Sequence, residues 1–105
     1  MAYAASKGAL VTMTLSLARA LGPVRVNAVC PGFIQGEWLR EGLGADRYDR
    51  LRAKTEESNP LGRTCAAEDV AESIYFLAAQ QRVITGETLI LDGGAHLAMA
   101  PLSRR

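Results

Sequence analysis

The sequence predicts an α/β fold with parallel strands, assembled in the order helix, strand, helix, strand. Three observations carry that expectation. From Ala2 to Leu21, Leu10, Met13, Leu17 and Leu21 recur on one stripe of a helical repeat. Val24 to Cys30 is β-branched and alternating, and Pro31-Gly32 cuts it off, as at the carboxyl edge of a buried strand. Thr88 to Leu91 is a second short apolar run, closed by Asp92-Gly93-Gly94. Two strands joined through a helical crossover are expected to be parallel and right-handed.

The elements follow in order. In the first helix, Val11, Leu15 and Ala18 make the side opposite the stripe apolar too, so the helix is expected to be buried on most faces. One side should cover the sheet and the other should meet a neighbouring helix or subunit. The pattern is already running at Ala2 with no capping residue before Tyr3, which predicts that residue 1 falls inside a helix. Gly22-Pro23 ends it. After the strand comes a long excursion, residues 33–64, with Glu37 to Gly44 expected as loop. Ala45 to Ser58 is expected as a charged helix with Tyr48 and Leu51 on its inner side. This excursion leaves the carboxyl end of a strand, where open α/β sheets bind ligands, and is expected to select the substrate as a lid. A helix from Ala67 to Ala79 then leads to the second strand.

Composition excludes several classes. A net charge of +1 gives no electrostatic footprint for nucleic acid. Arg19, Arg25 and Asn27 interrupt the apolar stretches, and no run approaches the roughly 18 residues a membrane span needs. Met1 leads directly into helix without a basic n-region or cleavage site, so a signal peptide is not expected and a cytoplasmic location is. Cys30 and Cys65 stand alone, Cys30 as a small buried strand residue and Cys65 in a connecting loop. His96 is the only histidine, expected at the surface, so no metal site is predicted. Hydrophobic content of 49% exceeds what a small autonomous core needs, which suggests faces meant for something outside the chain.

Tyr3 and Lys7 carry the chemistry. Four residues make one helical turn, so the phenol and the ammonium project from the same face, and a nearby cation favours the phenolate. That spacing suggests an acid/base device.

Taken in order, Tyr3-x-x-x-Lys7, Asn27-x-x-x-Pro31-Gly32 and Asp92-Gly93-Gly94 resemble the motifs of the short-chain dehydrogenase/reductase family. Asn59-Pro60-Leu61-Gly62-Arg63, Val70-Ala71 with Phe76-Leu77, and Thr85-Gly86 extend the resemblance almost end to end. It implies that residues 1–105 are the C-terminal part of a single NAD(P)-binding Rossmann-type domain, a doubly wound parallel sheet of which this chain supplies two strands and their helices. Such a domain also needs a Gly-rich turn after its first strand. Gly42-Leu43-Gly44-Ala45-Asp46-Arg47 lacks the third glycine, follows no strand and is read as a loop. The resemblance therefore places the phosphate-binding turn and the catalytic serine upstream of this chain.

The resemblance implies hydride transfer between NAD or NADP and a secondary alcohol or ketone, with Tyr3 as general acid/base. Lys7 supports Tyr3 and hydrogen-bonds the nicotinamide ribose. Pro31, Gly32, Phe33 and Ile34 match the turn that lies along the nicotinamide, the backbone at Ile34 facing its carboxamide. Asn27 resembles a structural asparagine that ties neighbouring backbone together, and Ser6 is read as a packing residue. Asp92-Gly93-Gly94 resembles a motif that organises subunit contacts, and a homotetramer or homodimer is implied. The chain departs from the family at Gln35-Gly36-Glu37, where a threonine is common, and at Ala67, where proline is common. These residues alone are expected to be inactive. The alternative is a truncated, non-catalytic fragment or an assembly partner of such an enzyme.

Overall fold

A computed structural model describes residues 1–98. The elements are α1 (Ala2–Ala20), β1 (Ala28–Pro31), α2 (Glu37–Leu43), α3 (Ala45–Ser58), α4 (Ala67–Tyr75), β2 (Thr88–Leu91) and α5 (Ala95–Ala98), with a π-helical turn at Phe76–Gln80 directly after α4. β1 and β2 form a two-stranded sheet. The Ala28 amide donates to the Glu87 carbonyl and the Gly32 amide to the Leu91 carbonyl, each at 2.9 Å. The constant offset between these partners is a parallel register, as the crossover between the strands requires. By its contacts the chain divides into two compact units, Met1–Cys30 with Ser73–Leu89, and Pro31–Glu72 with the segment from Ile90.

In the first unit the strand begins later than its β-branched pattern suggests. Residues 26 and 27 are tied to the chain before β2 largely through side chains. The Asn27 amide donates to the Ile84 carbonyl at 2.9 Å and its oxygen accepts the Glu87 amide at 3.0 Å, while the Val26 amide donates to the Thr85 hydroxyl. Asn27 thus ties backbone to backbone, as its motif implies. The helix predicted through Ala79 widens after Tyr75, and the Gln81 amide reaches the Phe76 carbonyl at 3.1 Å. Widening frees carbonyls from the regular ladder. The Arg25 guanidinium takes up two of them, those of Leu77 and Ala78.

α1 differs from expectation in its burial. Leu15 and Ala18 lie toward Gly86, which has a φ of +73. Yet Thr14 is the one buried residue of the helix, and Leu10, Met13, Leu15 and Leu21 are about half exposed. Much of the apolar surface that predicts burial is left uncovered among the described residues.

In the second unit α2 replaces the predicted loop. Glu37-Trp38-Leu39-Arg40 is a run of adequate helix formers between Gly36 and Gly44. Gly44, at φ +84, both ends α2 and opens α3, so this one residue separates the two helices. α2 packs on α3, and α3 on α5. Tyr48 is buried on α3 as expected, but Leu51 is 42% exposed. Leu51 lies three residues from Tyr48, whereas the half-exposed Arg52 and Glu56, at i+4 and i+8, share the Tyr48 face.

Cys65 belongs to a connecting stretch but is buried and pairs with Ile34 as an isolated parallel bridge. Its thiol donates to the Leu91 carbonyl at 2.8 Å, and burial pushes its pKa up. Cys30, predicted to be buried, is half-buried.

Candidate functional site

Regular helix carries the chain from Ala2, and it sets the first group of residues. The Ala5 amide bonds the Met1 carbonyl, so the turn holding Tyr3 is formed without any side-chain cap. One turn on, the Lys7 Nζ lies 5.3 Å from the centre of the Tyr3 ring, over its face. This is the geometry of a cation–π contact. Tyr3 is 75% exposed, so its hydroxyl is open to a reactant. Ser6 is turned away into the helix, its hydroxyl donating to the Tyr3 carbonyl at 2.7 Å, and takes no part in the pair.

The second group is the segment after β1. A Cβ at Gly32 would stand 2.8 Å from the Cβ of Asp92, so glycine is required there by contact with the end of β2. Beyond it, the Cys65 amide donates to the Phe33 carbonyl at 2.9 Å, and the Gln35 amide to the Cys65 carbonyl at 2.8 Å. Successive residues of an extended segment point their backbone groups to opposite edges. With Phe33 and Gln35 turned to Cys65, the amide and carbonyl of Ile34 face the other edge. Phe33 is committed elsewhere, its ring 5.3 Å from that of Tyr48 at 50°. The backbone groups left open on this segment are those of Ile34.

Around it lies a set of polar side chains that short-range reading missed. Gln35 Nε2 donates to the Thr64 hydroxyl at 2.9 Å, and Thr64 donates to Glu56 Oε1 at 2.8 Å. Arg52 Nε donates to the same carboxylate oxygen at 3.0 Å. These bonds, Arg52 first, hold the Glu56 carboxyl below its ordinary range. The one signal available in the sequence is the spacing of Tyr48, Arg52 and Glu56, at i, i+4 and i+8.

Asp92-Gly93-Gly94 acts within the chain. The Asp92 carboxylate caps α5, accepting the Gly94 and His96 amides at 2.9 Å each, with the exposed His96 ring at 2.9 Å. Burial raises the Asp92 pKa, but these hydrogen bonds outweigh it and the net direction is down. Among the described residues no group of three or more His, Cys, Asp or Glu is arranged to hold a metal ion. No helix among them is long and apolar enough to cross a membrane.

The family model described as enoyl-(acyl carrier protein) reductase matches residues 1–96. The chain is 38% identical over 97 residues to 2-(S)-hydroxypropyl-CoM dehydrogenase 3 of Xanthobacter autotrophicus, covering 89% of this chain and 38% of that protein. It is 39% identical over 95 residues to a 3-oxoacyl-(acyl-carrier-protein) reductase of Chlamydia pneumoniae, covering 88% and 36%. Among solved structures, a small-chain dehydrogenase in complex with NADPH superimposes with a TM-score of 0.79 at 37% identity, covering 86% of this chain and 40% of the other. Ligand-free aldohexose dehydrogenase of Thermoplasma acidophilum superimposes with a TM-score of 0.85 at 31% identity, covering 99% and 44%. The chain therefore spans well under half the length of these relatives. With motifs, fold and relatives in agreement, it belongs to the short-chain dehydrogenase/reductase family of Rossmann-fold oxidoreductases.

Proposed function

We propose that this chain carries the acid/base half of an NAD(P)-dependent oxidoreductase that interconverts a secondary alcohol and a ketone. The observation that carries the reading is the Lys7 ammonium stacked over the exposed Tyr3 ring one helical turn away. An exposed phenol beside a cation can give a proton to a carbonyl oxygen in reduction, or take one from a hydroxyl in oxidation. The nicotinamide supplies or accepts the hydride at the carbon, so proton and hydride together balance the two-electron change. Lys7 stabilises the phenolate left when Tyr3 gives up its proton, and hydrogen-bonds the ribose. Pro31, Gly32, Phe33 and Ile34 form the cofactor-facing turn. The Ile34 backbone edge fits the carboxamide, because its neighbours' groups are already taken by Cys65.

Residues 1–105 contain no Gly-rich turn for the pyrophosphate, so we assign them as the C-terminal part of one NAD(P)-binding domain, inactive by themselves, with residues 33–64 as the substrate-selecting lid. A small alcohol or ketone is the substrate, and the whole protein works as a homodimer or homotetramer. The test is Tyr3→Phe in the purified whole protein, with NADH or NADPH and a panel of ketones. Loss of the transferable proton lowers turnover by the 10² to 10⁴-fold typical of general acid/base catalysis. Unchanged turnover removes Tyr3 from the mechanism.

A further inference from the structure

Tyr48, Arg52 and Glu56 line one side of α3, and both ends of that line terminate on the segment after β1. At one end the Tyr48 hydroxyl accepts the Gly36 amide at 3.2 Å while its ring lies against Phe33. At the other, Glu56 takes the Thr64 hydroxyl at 2.8 Å, and Thr64 in turn accepts the Gln35 side-chain amide at 2.9 Å. Tyr48 and Thr64 are 5% and 4% exposed, so each tie has one buried partner. An isolated Arg52–Glu56 pair on a helix surface would add little. This carboxylate differs because it is shared with a buried hydroxyl whose donor and acceptor roles are both filled. Cys65 fixes one edge of residues 33–35 through backbone bonds, while Tyr48 of α3 meets the Phe33 ring and the Gly36 amide.

We propose that the Tyr48–Arg52–Glu56 face, acting through Thr64 and Gln35, is a positioning device. It holds the backbone edge at Ile34 at the height a nicotinamide carboxamide requires. The inference rests on the reading of this turn as the cofactor-facing one and adds to it the residues that set its position. None of the five touches the reacting atoms. Gln35 stands in the stretch where the chain departs from the family motif, and its side chain is what links the turn to Thr64.

Two readouts test it. In Tyr48→Phe and Glu56→Ala, amide hydrogen exchange at residues 35 and 36 should accelerate about 10-fold or more, the loss of one net hydrogen bond, while amides of α1 keep their rates. In steady-state assays of the whole protein, Thr64→Val should raise the KM for NADH or NADPH about 5-fold or more with kcat changed less than about twofold. Thr64→Ser, which keeps the hydroxyl, should restore the wild-type KM. Uniform acceleration of exchange over the whole chain, or a wild-type KM in Thr64→Val, overturns the positioning role. Wild-type protein that shows no saturable use of either nicotinamide overturns the cofactor reading itself, a result separate from an unchanged KM in the variant.

Discussion

Gly93→Ala offers a sharp test of how the second unit is assembled, because Gly62 provides a matched control. The two glycines have nearly the same backbone conformation, φ +65 at Gly93 and +66 at Gly62. A Cβ at Gly62 would meet nothing nearer than a carbonyl at 3.9 Å. At Gly93 it would stand 2.8 Å from the Arg63 carbonyl oxygen and 3.0 Å from Asn59 Oδ1. Neither neighbour is a flexible side-chain end. The first is backbone, and the second is held in place by bonds from Asn59 Nδ2 to the Arg63 carbonyl at 2.8 Å and from the Arg63 amide to Asn59 Oδ1 at 3.3 Å.

Gly62→Ala should therefore cost only the left-handed conformation, about 1 to 2 kcal/mol. Gly93→Ala adds about 1 to 3 kcal/mol for forced repacking and about 1 kcal/mol for the disturbed Asn59–Arg63 bonds. The expected gap between the variants is about 2 to 4 kcal/mol, or roughly 10 to 25 °C in melting temperature for a chain of this size. Urea and thermal unfolding of both variants, followed by circular dichroism, measure it. A Gly93→Ala protein within about 0.5 kcal/mol of Gly62→Ala would refute the claim that this backbone is in contact with Asn59 and Arg63.

Two further outcomes are expected. Arg25→Met keeps the aliphatic stem but strips the donors from the Leu77 and Ala78 carbonyls; unfolding midpoints should fall by the equivalent of about 1 to 3 kcal/mol, and an unchanged midpoint would dismiss the guanidinium as a cap. Asp92 has a folded pKa below its ordinary value, so its contribution is fully present above the unfolded carboxylate pKa of about 3.9 and is lost as pH falls through the folded value. Melting temperature should thus hold steady from about pH 7 to 5 and drop below about pH 4, less steeply in Asp92→Asn; identical acid limbs in the two proteins would remove Asp92 from the account.

What was legible in the sequence is what short-range spacing encodes. Tyr3 and Lys7 are one turn apart, so helix periodicity alone brings them together, and the structure places the ammonium over the ring. β2 is apolar and sharply bounded, and it falls where the pattern put it. The misreadings came where long-range bonds compete with local pattern. Val24 to Asn27 has strand composition, yet Asn27 spends its side chain on Ile84 and Glu87, some sixty positions away, and the ladder starts only at Ala28. Glu37 to Leu43 was masked by flanking glycines, which bound the helix without breaking it. The Gln35–Thr64–Glu56 ties join three residues of no shared motif, and their spacing has no period to detect.

The glycine motifs belong together for a reason that no one of them shows alone. Gly32 is pressed on Asp92, Gly93 on Asn59 and Arg63, and Gly94 on Pro60, whose ring carbons lie 2.9 Å from where a Cβ would stand. The Leu61 amide adds a bond to the Gly93 carbonyl at 3.0 Å. Pro31-Gly32, Asn59-Pro60-Leu61-Gly62-Arg63 and Asp92-Gly93-Gly94 are thus one contact, in which backbones approach more closely than side chains permit. Its consequence is mechanical. The segment that begins at Gly32 is backed by the end of β2, held at one edge by Cys65, met by Tyr48 and tied to Thr64 through Gln35, so little freedom remains at Ile34. A rigid backbone edge loses little entropy when a ligand binds it, which is what the proposed cofactor-facing role of this turn would require.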